Sequence, residues 1–194
     1  MFRLTKPSAE EIARLVEAAS RVPLSPAYLS VESGLLTEQA PSGFEIDQMR
    51  TQIGRGMQAF EAAMRGFEGW MQFDLDWVRV ANPTARIEVG SIAAVEVRSL
   101  GLWSVNLSQL VETVRTDTLF GFVYKTTPHH VEDGEERFVL TYESSAGIVW
   151  YETEAVSRPR DVLALFGYPV TRAFQHRFAR DSHRRMREVA SRSF

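Results

Sequence analysis

The feature that most constrains the fold is a series of strand-like segments, joined by short turns, that ends where a helical periodicity begins. Turn-forming residues such as Asn82-Pro83 and Leu100-Gly101 separate the segments. Because short turns join neighbouring strands, the series predicts an antiparallel meander. The predicted strands are 74–81, 85–98, 102–115, 118–126, 135–144 and 147–156.

Two helices are predicted before these strands. A capping-box pattern that starts at Ser8 precedes an apolar repeat of helical spacing, which predicts a helix over 9–20. A strand-like stretch over 44–54 is followed by a second amphipathic repeat, which predicts a helix over 56–70. The Ser-, Gly- and Pro-containing residues 27–43 predict an irregular connection that is packed on the domain.

A third predicted helix, over 160–190, ends the chain. Gly167 and Pro169 lie early in it and predict a break or kink near Tyr168. An antiparallel sheet with an apolar inner face must cover that face, and this amphipathic helix is available as the cover. The element order therefore predicts an α+β fold in which a curved antiparallel sheet wraps around the C-terminal helix. A cavity remains between them if the wrapping is incomplete.

Composition limits the classes of function. The chain of 194 residues fits one domain, with the N-terminal helix and connection in 1–43 and the sheet–helix core in 44–194. The net charge of −3 does not favour nucleic-acid binding. The absence of cysteine excludes disulfides, thiolate metal ligands and a cysteine nucleophile. Since neither a signal sequence nor a membrane-length apolar run is apparent, we expect a cytoplasmic protein.

Two neighbouring predicted strands combine titratable groups with an apolar wall. Phe122 and Tyr124 share one strand face, and Glu136, Phe138 and Tyr142 share a face of the partner strand. If both faces point inward, they form a mostly apolar surface with few polar groups, as in small-molecule pockets. The alternative is a filled core in which each tyrosine hydroxyl has a hydrogen-bond partner.

Glu136 is the sharpest candidate for chemistry. A carboxylate on an inward face is costly unless it is paired or protonated. Its candidate partners are His130 across the turn, Arg158 beyond the last strand, or a cationic ligand. With a shifted pKa, Glu136 or His130 would act as a general acid or base. The alternative is a structural ion pair or an exposed strand start.

Asn106 lies on a polar strand face, opposite Trp103. If the polar face is inside, Asn106 would hydrogen-bond a ligand; if it is outside, Trp103 fills the core. The sequence leaves both readings open. Tyr151 and Arg158 complete the predicted ligand-binding residues.

No metal site or cofactor is predicted. His129 and His130 lie beside Glu132 and Asp133, which are ligand types for zinc or iron. Adjacent histidines on extended chain point in opposite directions, and no metal-binding spacing motif is present. A polar hairpin turn is the default interpretation. No P-loop, dinucleotide fingerprint or nucleophile elbow occurs either.

The last helix carries seven arginines between Arg172 and Arg192. A basic helix face would suit nucleic acid or an anionic surface. The alternative is that these arginines stabilise the helix C-terminus and pair with the chain's own carboxylates. On the outer sheet face, an exposed Trp150 or Trp103 would mark a homodimer contact.

Several motifs carry a resemblance to a known family: Gly54-x-Gly56 with Phe60, Gly101-Leu-Trp-Ser-x-Asn106, Gly121 to Phe138, Val149-Trp-Tyr151 with Ser157-Arg-Pro159, and Gly167-Tyr-Pro169 with Arg177-Phe178-Ala-Arg-Asp-Ser182. Together they resemble a bacterial and plant family designated only as a domain of unknown function, number nineteen-ninety. Lys125 and Thr127 replace a glycine and a leucine of that family's turn. The element order resembles the helix-grip fold of START and polyketide-cyclase-like proteins. The resemblance implies this fold and a pocket, and no particular reaction.

We therefore predict a protein that binds a small apolar or amphipathic molecule between the sheet and the C-terminal helix. The first alternative is an enzyme that performs acid–base chemistry of a cyclase, hydrolase or isomerase type in that cavity. The second is a module that binds nucleic acid or an anionic surface through the basic helix.

Overall fold

The computed structural model describes residues 3–26, 28–36, 41–160 and 168–192. In these residues, the helices are α1 (Ala9–Ser20), α2 (Met57–Glu68) and α3 (Tyr168–Ser191), with a 3-10 turn at Met71–Phe73. The strands are β1 (Leu29–Ser30), β2 (Gly34–Leu35), β3 (Glu45–Arg55), β4 (Val78–Val80), β5 (Ile92–Ser99), β6 (Leu102–Arg115), β7 (Leu119–Thr126), β8 (Glu132–Glu143) and β9 (Ile148–Pro159).

Seven strands form one sheet in the order β3-β9-β8-β7-β6-β5-β4, and every neighbouring pair is antiparallel. The sheet curls into a half-barrel around α3, which confirms the predicted fold class. Consecutive hairpins connect β4 to β9, as the short turns in the sequence predict. Strand β3 closes the order by pairing with β9, which lies far away in sequence.

The main core lies between the concave face of the sheet and α2. Phe67 of α2 is fully buried, and its ring centroid lies 5.7 Å from those of Phe120, Phe122 and Tyr151. The apolar repeat that predicts this helix therefore supplies its buried face. Val189 of α3 packs beside Gly66, which lets the two helices approach closely.

The convex face of the sheet has two covers. Helix α1 buries Ile12 and Ala19 against an apolar patch on β5 and β6. The β1–β2 hairpin buries Leu29 and Val31 against the outer residues of β7, β8 and β9. The carboxylate of Glu135 fastens this hairpin, since it accepts hydrogen bonds from the backbone amides of two hairpin residues. The connection predicted to be irregular thus includes a short hairpin.

Two predicted strands are wrong in extent. The one at 74–81 is shortened to β4, because two backbone hydrogen bonds between Leu75 and Val78 close a tight turn just before this strand. The one at 85–98 begins only at Ile92. Before it, the side chain of Asn82 hydrogen-bonds the backbone of Ile92 and Ala94 and stabilises a loop.

Helix α3 is continuous from Tyr168 to Ser191. Arg160, where this helix is predicted to begin, is not helical, and the helix is described only from Tyr168. Residues 161–167, which include Gly167 and the chain preceding the predicted kink, lie outside the described residues. The apolar face of α3 covers the concave sheet beside α2, which is the position predicted for it.

Candidate functional site

A cavity of about 430 Å³ lies between the concave face of the sheet and α3. Its volume falls within the range of about 300–1,000 Å³ that is usual for small-molecule sites. Phe174 and Phe178 of α3 form one wall, and Phe73 and Trp77 form another. Inner-face residues of β3 and of β5 to β9 form the floor.

The cavity exists because the inner-face residues of β8 and β9 beneath the first turns of α3 are small or polar. On β9 the inner positions here are Ala155 and Ser157, and on β8 one is Gly134. A Cβ atom at Gly134 would lie 2.3 Å from the carbonyl oxygen of Val156, so the strand pair accepts only glycine at this position without moving. Such residues cannot fill the space beneath α3.

Glu136 and Tyr124 form the central polar pair of the cavity. They face each other across β7 and β8, and the Tyr124 hydroxyl donates a hydrogen bond of 2.5 Å to Glu136 Oε2. Burial raises the pKa of Glu136 to about 8, with a smaller contribution from the acidic groups of Glu132 and Asp47. The Tyr124 hydrogen bond opposes this rise. Glu136 is therefore mainly protonated at neutral pH.

A second carboxyl, that of Glu132, joins the sheet to α3. Gln175 Nε2 donates hydrogen bonds to Glu132 Oε1 at 2.6 Å and to Ser157 Oγ at 3.3 Å. Burial raises the pKa of Glu132 to about 7, although the Gln175 hydrogen bond and the charge of Arg172 act in the opposite direction. Arg172 also pairs with Asp47, so two polar contacts hold the first turns of α3 over the cavity.

His130 lines the cavity as a neutral imidazole. Its Nδ1 accepts a hydrogen bond of 3.0 Å from the backbone amide of Glu132, which assigns the ring proton to Nε2. Burial lowers the pKa of His130 to about 4, helped by the charge of Arg160. Because its imidazole is neutral, His130 provides no counter-charge for Glu136.

The polar face of β6 points inward, which resolves the two alternatives for this strand. Ser104 and Asn106 line the cavity, and Asn106 Oδ1 is buried without a hydrogen-bond partner among the described residues. Trp103 lies on the outer face, where the guanidinium of Arg98 stands 5.6 Å from the centre of its ring. An acceptor that is buried and unpaired costs free energy unless a ligand or a water molecule bonds to it.

The structure separates the sequence-predicted site residues into two groups. Tyr124, Glu136, His130 and Asn106 line the cavity. The other predicted residues lie elsewhere: Phe122, Phe138 and Tyr151 are in the filled core, Tyr142 packs against that core, and Arg158 is outside it.

Arg158 is not a partner of Glu136. Its guanidinium pairs with Asp133 at 3.0 Å and lies 4.7 Å from the ring centre of Phe44. The reason is strand alternation: Arg158 follows the inward-facing Ser157 and therefore points to the convex side.

Tyr151 does not reach the cavity either. Its hydroxyl forms a hydrogen bond of 2.8 Å with the Ser182 hydroxyl, as expected for a tyrosine in a filled core.

Several lining residues were missed by sequence reasoning. Phe174 and Phe178 are four residues apart on α3 and form one aromatic stripe that faces the cavity. The lining residue Thr153 hydrogen-bonds His183 Nε2 at 3.1 Å, and burial lowers the pKa of His183 to about 4. The helical spacing of these α3 residues was a signal available in the sequence.

The arginines of α3 are largely engaged with carboxylates. Arg172 pairs with Asp47, Arg184 with Asp181 at 2.8 Å, and Arg185 with Asp74 at 2.5 Å. On the convex face, Trp150 lies 4.2 Å from the guanidinium of Arg50 and donates its ring N–H to Glu143. The ion-paired arginines of α3 therefore add no specific argument for nucleic-acid binding, and the contacts of Trp150 add none for a homodimer.

Among the residues that the structure describes, no group of three or more His, Asp or Glu side chains is arranged to hold a metal ion. No described helix is both long enough and apolar enough to cross a membrane.

The sequence of this chain matches a protein family and several related proteins. The family described as "Domain of unknown function (DUF1990)" matches residues 30–185. A UPF0548 protein of Dictyostelium discoideum is 35% identical over 156 residues, which cover 75% of this chain and 72% of that protein. A UPF0548 protein of Arabidopsis thaliana is 26% identical over 189 residues, which cover 91% of each chain.

Solved structures share the fold at low sequence identity. The Zhui aromatase/cyclase from Streptomyces sp. R1128 superposes with a TM-score of 0.51 and 9% identity, covering 77% of this chain and 94% of its own. The di-domain ARO/CYC BexL from the BE-7585A biosynthetic pathway gives 0.51 and 12%, covering 78% of this chain and 52% of its own. At these identities the likeness shows the helix-grip fold alone.

Proposed function

This chain belongs to the DUF1990 family, whose description names no function, and we propose that it binds a small apolar or amphipathic molecule between the sheet and α3. The observation that carries the proposal is the cavity of about 430 Å³, in which mostly apolar walls surround a few polar groups. Such a combination is typical of sites for small organic molecules. The predicted membership of this family is confirmed.

The aromatic wall supports the apolar part of the ligand. The rings of Phe73 and Phe178 stack with their centroids 5.2 Å apart, and Trp77 and Phe174 lie 5.6 Å apart. These side chains come from α3 and from the segment after α2, so a ligand would join both to the sheet. Burial of an apolar ligand against them contributes about 25 cal/mol for each Å² of apolar surface removed from water.

The test is a fluorescence titration with prodan, a neutral apolar dye, on the wild type and two variants. Ala179 lines the cavity on α3, whereas Ala173 is exposed on the same helix. The substitution Ala179→Phe places a ring in the cavity, and Ala173→Phe adds the same ring at the surface. We expect Ala179→Phe to weaken prodan binding by at least about tenfold, with the control equal to the wild type.

Thermal unfolding of the same three proteins separates loss of binding from loss of folding. Filling an existing void does not create the strain of overpacking a dense core, so Ala179→Phe should keep the melting temperature of the wild type. Equal prodan affinity in all three folded proteins would contradict binding in this cavity. Native mass spectrometry of the purified protein, followed by denaturation, would identify any small molecule that it already carries.

A second candidate function is acid–base catalysis in the same cavity. It is favoured by Glu136, whose raised pKa of about 8 lets it hold a transferable proton near neutral pH, and by the adjacent Tyr124 hydroxyl. Two solved proteins with this fold are named aromatase/cyclases, which is consistent with chemistry in such a cavity.

Glu136→Gln distinguishes catalysis from binding, because glutamine keeps the size of the side chain but transfers no proton. A small-molecule extract would be incubated with the wild type or the variant and compared by mass spectrometry. Catalysis predicts compounds that are converted by the wild type and left intact by Glu136→Gln and by His130→Asn. The same conversions in all three proteins would contradict a catalytic role for either residue.

A further inference from the structure

We propose that the ligand of the cavity is an amine, bound as its ammonium ion to the carboxyl group of Glu136, with an apolar body against the aromatic wall. This inference rests on the proposed binding function and specifies the chemical class of the ligand. It follows from four features of the lining: the charges around Glu136, the pairing of the nearby cations, an unpaired acceptor, and the aromatic rings.

The charges that act on Glu136 are all negative. They belong to Glu132 and Asp47, and the hydroxyl of Tyr124 is held neutral because burial and Glu136 raise its pKa well above the ordinary value. In the residues that the structure describes, the hydrogen bond to Glu136 comes from Tyr124 alone. An ionised Glu136 would therefore need a positive charge that the protein itself does not provide.

The basic groups that border the cavity are ion-paired, neutral or exposed to solvent. Arg172 pairs with Asp47 and with Glu45. His130 is neutral, because burial lowers its pKa to about 4. Arg180 lines the cavity from α3 but is exposed to solvent. A cationic ligand would supply the missing counter-charge, whereas an anionic head group would find no cation beside this carboxyl among the described groups that act on it.

Two further features of the lining suit a donor-bearing cation. Among the lining residues that are described, the fully buried side-chain atom without a partner is Asn106 Oδ1, which is an acceptor and calls for an N–H or O–H group. The rings of Phe73, Trp77 and Phe178 border the same space. The faces of aromatic rings attract cations, and more strongly where water is excluded.

Binding of an ammonium ion should release a proton. In the free protein the raised pKa of Glu136 keeps its carboxyl protonated at pH 7. When R–NH₃⁺ binds, the ion pair forms with the carboxylate, so the O–H bond of Glu136 breaks and its proton goes to the solvent. The affinity for the cation should therefore increase as the pH rises toward 8, while the amine itself remains charged.

The experiment is isothermal titration calorimetry at pH 7 with three probes of equal chain length: octylamine, octan-1-ol and octanoate. Each is titrated into the wild type, Glu136→Gln, and the control Glu143→Gln, which changes an exposed glutamate on the same strand. We expect octylamine to bind the wild type about ten- to a hundredfold more tightly than octan-1-ol, because one charge-assisted hydrogen bond increases affinity by about that factor. Octanoate should bind most weakly.

The variants and the proton balance complete the test. In Glu136→Gln, octylamine should bind only as tightly as octan-1-ol. The affinity of octan-1-ol should be the same in this variant as in the wild type. Glu143→Gln should bind all three probes as the wild type does. Titrations in two buffers of different ionisation enthalpy should show release of about one proton with octylamine, and much less in Glu136→Gln.

The possible failures are distinguishable. If octan-1-ol or octanoate binds the wild type as tightly as octylamine, the amine inference is overturned while the binding function stands. If a preference for octylamine persists in Glu136→Gln, the assignment to this carboxyl is overturned. If none of the three probes binds, and prodan does not distinguish Ala179→Phe from the wild type, the binding function and the inference both fail.

Discussion

The two ends of the concave sheet face are built on the same strands but have opposite contents. At one end, Tyr151, Leu140 and Phe120 stand opposite one another across β9, β8 and β7, and all three are buried in the core. Four residues away on each strand, the corresponding row is Ala155, Glu136 and Tyr124, which lines the cavity. The backbone pairing is continuous between the rows, so the side chains alone make one end solid and the other hollow.

The helices reinforce this difference. Helix α2 places Phe67 in the filled end, and Trp70 just after it packs 5.6 Å from Phe122. The filled end thus gains stability from dense aromatic packing. The hollow end retains two carboxyls of raised pKa and an unpaired amide oxygen, all of which oppose folding. Groups that lower stability in this way are expected where a protein uses them for function.

The largest expected effect tests whether the two ends differ in packing. Phe67→Ala in the filled end should lower the free energy of unfolding by about 3–5 kcal/mol. Phe178→Ala should cost clearly less, about 1–2 kcal/mol, because this ring is only partly buried and already borders a void. Urea denaturation of both variants measures the difference. Equal costs would mean that the cavity end is packed as tightly as the other.

An intermediate effect is expected from pH, and it tests whether Glu136 is protonated in the hollow end. Its pKa is raised from 4.5 to about 8, so the unfolded chain loses this proton before the folded protein does. The stability associated with Glu136 is therefore full below pH 4.5 and is lost as the pH rises through 8. Relative to the wild type, the free energy of unfolding of Glu136→Gln should increase by about 3 kcal/mol between pH 5 and pH 8.

The measurement for this prediction is urea denaturation of both proteins at several pH values, with Glu143→Gln as the control. His130 and His183 have pKa values lowered to about 4, so their contribution is full above pH 6.5 and is lost as the pH falls through 4. Since both proteins contain these histidines, the difference between the two isolates Glu136. A difference that does not change with pH would show an ordinary, ionised carboxylate.

The smallest expected effect has the opposite sign and concerns Asn106. Replacing it with leucine removes the buried oxygen that has no partner, in a side chain of similar size. Asn106→Leu should therefore raise the free energy of unfolding by about 1 kcal/mol. Differential scanning calorimetry would show a higher melting temperature. A marked loss of stability would mean that Asn106 has a structural partner, such as an ordered water molecule.

The confirmed parts of the sequence-based prediction are those that depend on local patterns. Helix α1 follows from its capping box, β6 from its alternation and flanking turns, and α2 from its apolar repeat. The pattern failed where local hydrogen bonds overruled it: the turn between Leu75 and Val78 and the loop held by Asn82 shortened two predicted strands. Neither effect is visible in the periodicity of apolar residues.

The site was less predictable than the fold. Alternation correctly places Tyr124 and Glu136 on the same inner surface, because a period of two is a property of the strand itself. The same rule cannot tell Glu136, in the hollow end, from Phe138, in the filled end. That distinction depends on the positions of α2 and α3, whose contacts with the strands of the sheet join residues far apart in the chain.

The sequence by itself therefore determined the antiparallel meander, the helices and the family, since short-range periodicity, turn residues and motifs encode them. Only the tertiary structure decided which face of β6 points inward and which inner residues remain uncovered. It also left Glu136 with a tyrosine hydroxyl in place of a cation. These outcomes depend on how the sheet curls and where two helices pack, which no single segment of the chain specifies.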